Sequence, residues 1–331
     1  MNHNICCRKI SKLAGILCTL VSCILYMVNN FLVKYSCNVM HYYVIDVLLI
    51  RGLSNIVFTI IGMRVENQSR FQLVESDFHF IKIRLLLIIP TSFLFSIGVL
   101  YISVSLATVV YYTTPLVTIL MASYSLNEKT HIYDIIAAFF SFLGLIVVTK
   151  PPFLFGSQEN YTMSFYLAIL GFLVCSVSNA YANIMCRKIK SKINFMVLTY
   201  YYGITFTMVN SVVLFVLPRS KEYIVDFGYK DVLFCIFIAA VQFIGSYFQY
   251  ISFKYDEAGR VTIFTYCQVL FTYIVEITLF HIVPDFITII GAILIVGSCI
   301  TVVFNKLVEA RRKRTLSKDS ATDMEKRLSI E

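Results

Sequence analysis

The sequence predicts an all-α integral membrane protein with ten transmembrane helices, arranged as two inverted five-helix repeats. Three observations lead to this fold: the excess of apolar residues, the lengths of the apolar runs, and the placement of the basic residues. Of the 331 residues, 58% are hydrophobic and 14% are charged, whereas soluble domains have about 45–50% apolar and about 25% charged residues. A single soluble core cannot bury that much apolar surface, so a lipid bilayer is the expected surrounding.

Seven apolar runs are long enough to cross a bilayer without further argument, because a span needs roughly 20 mostly apolar residues. They are numbered here by their place among the ten predicted spans. Spans one, two, six, seven, eight, nine and ten are predicted near residues 13–34, 43–63, 162–185, 194–217, 229–253, 258–280 and 285–305.

The stretch between spans two and six supplies the other three spans. The apolar run 83–126 would be about 66 Å long as one helix, roughly twice the thickness of the bilayer core. We therefore expect spans three and four, joined by a tight turn near Ser103. Span five, at 132–149, follows a short polar link around Glu128.

The basic residues favour an even number of spans with both termini in the cytosol. In that orientation 22 of the 28 Lys and Arg residues are cytosolic and 5 lie on the opposite side, which follows the positive-inside rule. Because these residues cluster between apolar runs, they argue against a nucleic-acid partner. The expected order is a cytosolic N-terminal tail, a first repeat, a non-cytosolic loop, a second repeat and a disordered basic cytosolic tail, at 1–12, 13–150, 151–161, 162–305 and 306–331.

One candidate modification site agrees with this orientation. Asn160 begins an Asn-Tyr-Thr sequon in the loop after span five, on the predicted non-cytosolic side, and is a candidate for glycosylation.

Two stretches, 100–112 and 249–262, repeat one pattern. Each has a span that ends in an aromatic residue, a short turn with a small residue, and a span that contains polar side chains. Each is followed by an apolar span with a central glycine, Gly144 or Gly291. Because each half has five spans, the halves enter the membrane in opposite orientations. Inverted halves are the usual build of secondary transporters, with the solute site near the midplane.

Four motifs resemble a known family. They are Ile50-Arg51-Gly52 in span two, the pattern from Ser105 to Pro115 in span four, the link Leu126-Asn127-Glu128-Lys129, and the string from Val148 to Gly156, which is the most specific. With these motifs, residues 10–305 resemble the EamA-type branch of the drug/metabolite transporter superfamily, and within it the solute carrier family 35 G-like group. The resemblance implies ten spans, cytosolic termini, and a central cavity lined mainly by spans one, three, four, six, eight and nine.

The second half departs from the family pattern. The acidic link expected after span nine is replaced by 280–285, and no proline in span nine matches Pro115. We therefore expect a gate that is unequal between the halves.

Polar residues inside the spans are the candidates for solute contact, because buried polar groups in lipid are costly and usually face the interior of the bundle. Helical spacing groups them into faces. The candidates are Tyr26, Asn30, Thr108, Tyr111, Tyr112, Asn179, Gln242, Gln249, Thr265, Gln268 and Glu276. The face of span four is the first choice, since Pro115 should kink that helix. The alternative for all of them is interhelical hydrogen bonding that only holds the bundle together.

Three residues are candidates for structural or gating roles: Arg51, Pro115 and Glu128. Arg51 either neutralises an anionic solute or ties span two to a neighbour, and the tie is favoured. Small residues on spans five and ten allow close approach of helices. They predict peripheral packing and leave open a homodimer through these two spans.

The predicted function is secondary transport of a small polar organic solute or metabolite by alternating access. No Walker loop is present in the sequence, so ATP is not expected to drive transport through this chain, and neither a cofactor nor a metal site is expected. An anionic solute, exchange, proton coupling, and a plasma-membrane or endomembrane location all stay open. The alternatives are a non-transporting multispan receptor or scaffold and, less favoured, a membrane acyltransferase-type enzyme, for which His41 and Asp46 have a suitable spacing without an adjacent motif.

Glu276 yields a test of proton coupling, because it is the one acidic residue deep in span nine. If its carboxylate carries a proton through the cycle, Glu276→Gln should make uptake insensitive to an imposed pH gradient. The measurement is solute uptake with and without the gradient at matched surface expression. Unchanged pH dependence would exclude this role.

Overall fold

The computed structural model describes residues 2–65, 81–87, 104–126, 132–150, 163–189, 195–216, 228–280 and 286–305, together with positions 79, 89, 91, 94, 154 and 308. The helices of spans one, two, five, six, seven, eight and ten are Asn2–Asn38, Val44–Val65, Ile132–Thr149, Met163–Ile189, Phe195–Val216, Tyr229–Tyr255 and Phe286–Asn305. Spans four and nine each consist of two helices, Val104–Tyr111 with Thr114–Leu126 and Ala258–Phe264 with Cys267–Phe280.

Within the described residues, eight helical stretches are long and apolar enough to cross a membrane. They correspond to every predicted span except three and nine. Span three lies largely outside the described residues, as do the turn near Ser103, Glu128 and Asn160. Span nine is not among the eight because its two helices have 7 and 14 residues, and neither is long enough to cross the membrane alone. The prediction of an all-α multispan membrane protein is confirmed.

The main helix contacts join the first predicted half of the chain to the second. Span one packs against span eight, span two against span seven, and the second helix of span four against the first helix of span nine. Spans five and ten also touch, through Gly144 and Gly291. The bundle is therefore held by contacts between the halves.

Spans five and ten approach so closely that their backbones are in contact. A β-carbon added at Gly144 would lie 2.7 Å from the carbonyl oxygen of Gly291, and one added at Gly291 would lie 2.8 Å from that of Gly144. Ala137, Leu145 and Ile295 are buried in the same apolar cluster. These small faces are covered within one chain, so the predicted homodimer stays a prediction and would have to use other faces of the two spans.

Span two shows how a transmembrane helix divides its faces between lipid and protein. Leu53, Val57 and Ile61 recur every four residues and are 54%, 51% and 55% exposed. Asn55 and Thr59 lie on the opposite face and are buried. Apolar side chains therefore face outward and polar ones inward, which is the arrangement expected where lipid is the solvent.

The contact between Gly144 and Gly291 provides a stability prediction. Gly144→Ala should lower the free energy of unfolding by about 1–3 kcal/mol, since the added methyl group meets backbone that must move. Gly297→Ala is the matched control, because nothing lies within 4 Å of a β-carbon at that position. Thermal unfolding of the purified variants should show a lower melting temperature for Gly144→Ala alone. Equal melting temperatures for the two variants would contradict the close contact.

Candidate functional site

The helix of span four is interrupted at Tyr112–Thr113. Pro115 follows the break and has no backbone N–H, so the carbonyl oxygen of Tyr111 lacks the donor that a helix would provide. The hydroxyl of Thr114 donates a hydrogen bond to that oxygen at 2.6 Å. The break therefore follows from the proline, and a neighbouring side chain satisfies the carbonyl group that it frees.

The helix of span nine is interrupted at Thr265–Tyr266 without a proline. The backbone N–H groups of Thr265 and Tyr266 donate to the carbonyl oxygens three residues earlier, on Thr262 and Ile263, at 3.2 Å each. The hydroxyl of Thr265 also donates to the Thr262 oxygen at 2.6 Å, and such local bonds compete with the helix. Both spans therefore break, one with a proline and one without, and the predicted inequality of the gate stays a prediction.

The two breaks meet. The hydroxyl of Tyr266 donates a hydrogen bond of 2.9 Å to the carbonyl oxygen of Tyr112, and the two rings lie 6.0 Å apart. A β-carbon added at Gly259 would lie 3.0 Å from Ile119, so the broken spans also cross closely nearby. A side chain of one half thus hydrogen-bonds to the interrupted backbone of the other.

The first helix of the opposite half also contacts each break, at corresponding places in the repeat. At the break in span four, the hydroxyl groups of Thr113 and Ser176 of span six lie 2.6 Å apart. At the break in span nine, the thiol of Cys23 of span one donates to the carbonyl oxygen of Phe264 at 3.5 Å. Because spans one and six correspond in the two repeats, the local arrangement is repeated even though the side chains differ.

Arg51 lies in the middle of span two and packs on an aromatic pair of span seven. Its guanidinium carbon is 4.6 Å from the centre of the Phe206 ring, and Phe206 stacks on Tyr202 with ring centres 5.5 Å apart. The Nε atom of Arg51 is buried and donates no hydrogen bond within the part of the chain that the structure describes. The predicted tie to a neighbouring helix has a physical basis in this cation–π contact.

Two predicted residues, Tyr26 and Gln249, join spans one and eight. The Tyr26 hydroxyl donates to Ser246 at 3.3 Å, and the Ser22 hydroxyl donates to the Oε1 atom of Gln249 at 2.6 Å. These hydrogen bonds are the interhelical contacts that the alternative interpretation expects. For this pair of spans, bundle stability is the simpler role.

Of the remaining predicted residues, the described side-chain contacts bring together only Tyr111 and Tyr112. Asn179, Gln242, Thr265 and Gln268 are half-buried, Tyr111 and Tyr112 are half-buried with ring centres 6.1 Å apart, and Asn30 is exposed. Pro115 is buried. The side chains of Thr108 and Glu276 lie outside the description. The assignment of these residues to solute contact stays a prediction.

The residues of span seven that face the interior of the bundle were not identified in the sequence analysis. Phe206 lies against Arg51 and stacks on Tyr202, while Thr199 and Asn210 are buried on the same helix. These four residues recur at spacings of three or four, which is a helical face. That spacing was visible in the sequence and would have identified the inward face of span seven.

Arg260, one of the basic residues that the sequence analysis counts on the cytosolic side, is buried at the start of span nine. Its Nε atom lies 3.2 Å from the Oδ2 atom of Asp134, and each side chain is 5% exposed. Glu257 adds a carboxylate oxygen 3.6 Å from the Nη1 atom. The ion pair joins span nine to the first turn of span five, so Arg260 is an internal contact between the halves.

Comparison with known proteins adds the family context. The profile described as EamA-like transporter family matches residues 13–150 and 166–304. Human "Solute carrier family 35 member G1" is 28% identical over 213 residues, which cover 62% of this chain and 57% of the human protein. The "S-adenosylmethionine uptake transporter" of Rickettsia prowazekii is 24% identical over 210 residues, which cover 63% of this chain and 66% of that protein.

The chain thus matches between half and two thirds of the length of these two relatives. A crystal structure of a protein with 13% identity superposes with a TM-score of 0.72, over 90% of this chain and 98% of that one. This likeness shows a common fold.

The buried ion pair yields a test by double-mutant cycle. Arg260→Met alone should lower the free energy of unfolding by about 3–5 kcal/mol, because it removes the buried cation that faces Asp134. Asp134→Leu alone should cost less, because Glu257 stays 3.6 Å from the Arg260 guanidinium. The double variant should be more stable than either single variant. Thermal unfolding of the purified proteins measures all three, and Lys254→Met, which removes an exposed cation, is the control. Additive losses in the double variant would show that the two charges are not coupled.

Proposed function

The chain belongs to the EamA-like transporter family, and from this premise we propose that it is a secondary transporter that moves a small polar organic solute by alternating access. The family membership and the named transporters among its relatives support a membrane solute transporter and not an enzyme. The kind of solute, the mechanism and the position of the site are our proposal.

The meeting of the two broken spans carries the proposal. Interrupted helices at membrane depth are tolerated only where protein or a water-filled cavity surrounds them. In secondary transporters with inverted repeats, such interruptions form the solute site. Here one interruption comes from each half, and Tyr266 hydrogen-bonds to Tyr112 between them. We place the solute site beside these two tyrosines.

The contact between Tyr112 and Tyr266 is weak enough to change during a transport cycle. One neutral hydrogen bond contributes about 0.5–1.5 kcal/mol net. The halves can therefore exchange this bond for a bond to solute at little cost in free energy.

The names of the relatives support a class of solute for this chain, although they do not identify the particular solute. The Rickettsia relative is named for uptake of S-adenosylmethionine, a small polar organic molecule, and we propose a solute of that general kind here. We also propose cytosolic termini and the order of tails, repeats and loop given by the sequence. These rest on the distribution of Lys and Arg.

Flux through the purified protein tests the proposal. Proteoliposomes are incubated with a defined mixture of polar metabolites, and the retained solutes are identified by mass spectrometry against protein-free liposomes. At least one unmodified solute should accumulate. Retention of no solute, or the appearance of a chemical product, would contradict secondary transport.

A substitution then tests the position of the site. Tyr266→Phe removes the hydroxyl that bridges the halves and should lower the transport rate by up to about fivefold, the effect of a hydrogen bond of about 1 kcal/mol. Tyr124→Phe removes a hydroxyl from the same pair of spans, and its side chain is 91% exposed, so its rate should match that of the unsubstituted protein. Equal rates for the two variants would place the solute elsewhere.

A further inference from the structure

The two halves of the chain are bonded to each other near both ends of span eight. Tyr42, between spans one and two, donates a hydrogen bond of 2.5 Å from its hydroxyl to the Oδ1 atom of Asp231, in the first turn of span eight. Glu257 follows the other end of that helix and, with Asp134, faces Arg260. The helix has 27 residues, about 40 Å at 1.5 Å per residue. The two contacts therefore lie near opposite faces of a bilayer whose apolar core is about 30 Å thick.

The contact at the start of span eight is held in place by the loop that carries Tyr42. The Tyr42 side chain is 1% exposed and is buried in one apolar cluster with Cys235 and Ile238 of span eight. The preceding residue, His41, has a φ of 54°, a left-handed conformation that is uncommon outside glycine. Such a conformation persists only where the surrounding structure holds it. The loop thus fixes the ring against span eight so that its hydroxyl reaches Asp231.

The contact at the other end lies beside the crossing of the two broken spans. Arg260 and Asp134 are each 5% exposed and join span nine to span five. Gly259, the residue before Arg260, lies against Ile119 in the second helix of span four. A β-carbon added at Gly259 would be 3.7 Å from that of Ile119. The ion pair therefore joins the halves at the same end of the bundle at which span nine crosses span four.

Alternating access requires contacts of this kind. A solute site that opens to each side in turn needs the halves to separate at one end while they stay together at the other. A bond between the halves at one end is then intact in one state and broken in the other, so it biases the equilibrium between the two states. Both contacts meet this requirement, since each joins residues of different halves and the two lie at opposite ends of span eight.

We propose that the two contacts are the gates of the transport cycle. The inner gate consists of Asp134, Glu257 and Arg260 and holds the cytosolic end closed. The outer gate consists of Tyr42 and Asp231 and holds the opposite end closed. Access from one side requires the gate on that side to open while the other stays bonded. The inference rests on the proposed function and on the proposed cytosolic termini, and it identifies residues outside the solute site that control access to it.

Removal of one gate should shift access toward its own end. Arg260→Met should raise labelling of Thr265→Cys by a membrane-impermeant thiol reagent from the cytosolic side about threefold or more, and lower labelling from the other side. Tyr42→Phe keeps the buried ring, removes only the hydroxyl, and should do the reverse. A bond with a structural role alone would change stability without these opposite shifts. Lys254→Met and Tyr124→Phe, which alter exposed side chains, are the matched controls.

Two further variants keep the inner gate testable if Arg260→Met does not fold. Asp134→Asn removes the carboxylate charge at nearly constant volume and should shift labelling in the same direction as Arg260→Met. Arg260→Lys keeps a cation beside both carboxylates and should retain part of the unsubstituted distribution.

A cross-link tests the inner gate without the label at Thr265. Cysteines at 119 and 259 would have β-carbons 3.7 Å apart, close to the mean of about 3.8 Å in disulfides. Oxidation of the Ile119→Cys/Gly259→Cys chain should join the halves at the cytosolic end and stop solute flux in proteoliposomes, and reduction should restore it. Mass spectrometry of the peptides verifies the bond. The two single variants and the unsubstituted chain, oxidised in the same way, are the controls.

Three results would overturn the gates: the two substitutions fail to shift labelling in opposite directions, the disulfide does not form, or flux continues through the oxidised double-cysteine chain. Flux by the unsubstituted chain separates this failure from failure of the proposed function. Flux together with any of the three results rejects the gates and leaves the transporter. Absence of any flux rejects the transporter itself.

Discussion

A break in a transmembrane helix leaves backbone N–H and C=O groups in a medium that offers no water, so each freed group needs a partner in the protein. The arrangement around spans four and nine follows from this requirement. Thr114 satisfies the carbonyl freed by Pro115, Tyr266 donates to the carbonyl of Tyr112, and Cys23 donates to that of Phe264. Because the partners come from both halves, satisfying the breaks also fixes how the halves meet.

Buried charges also need partners inside the protein, and the buried arginines of this chain have different ones. Arg260 is held by Asp134 at 3.2 Å and joins the halves. Among the described residues, Arg51 packs on the ring of Phe206, and Arg84 lies against the sulfur of Cys186. A buried charge that meets an opposite charge is partly compensated, whereas one that does not is costly in the membrane.

The span lengths, the repeat and the helix break near Pro115 could be predicted from the sequence, because each depends on the residue types within a short stretch of the chain. The break in span nine could not, since Thr265 and Tyr266 interrupt the helix through hydrogen bonds that no sequence rule requires. The burial of Arg260 could not either. A basic residue at the end of a span has the same local sequence whether it faces the cytosol or an aspartate 126 positions earlier. Tertiary packing decides which residue a buried arginine contacts, and this cannot be inferred from a single sequence.

The central claim is that the junction of the two broken spans is the solute site and opens to each side of the membrane in turn. The most direct measurement is labelling of Thr265→Cys by a membrane-impermeant thiol reagent, in right-side-out and inside-out vesicles, with the unsubstituted chain as background. Thr265 lies within the break of span nine and is half-buried. The account predicts labelling from both sides, with protection by the transported solute. Labelling from one side only, with or without solute, would contradict it.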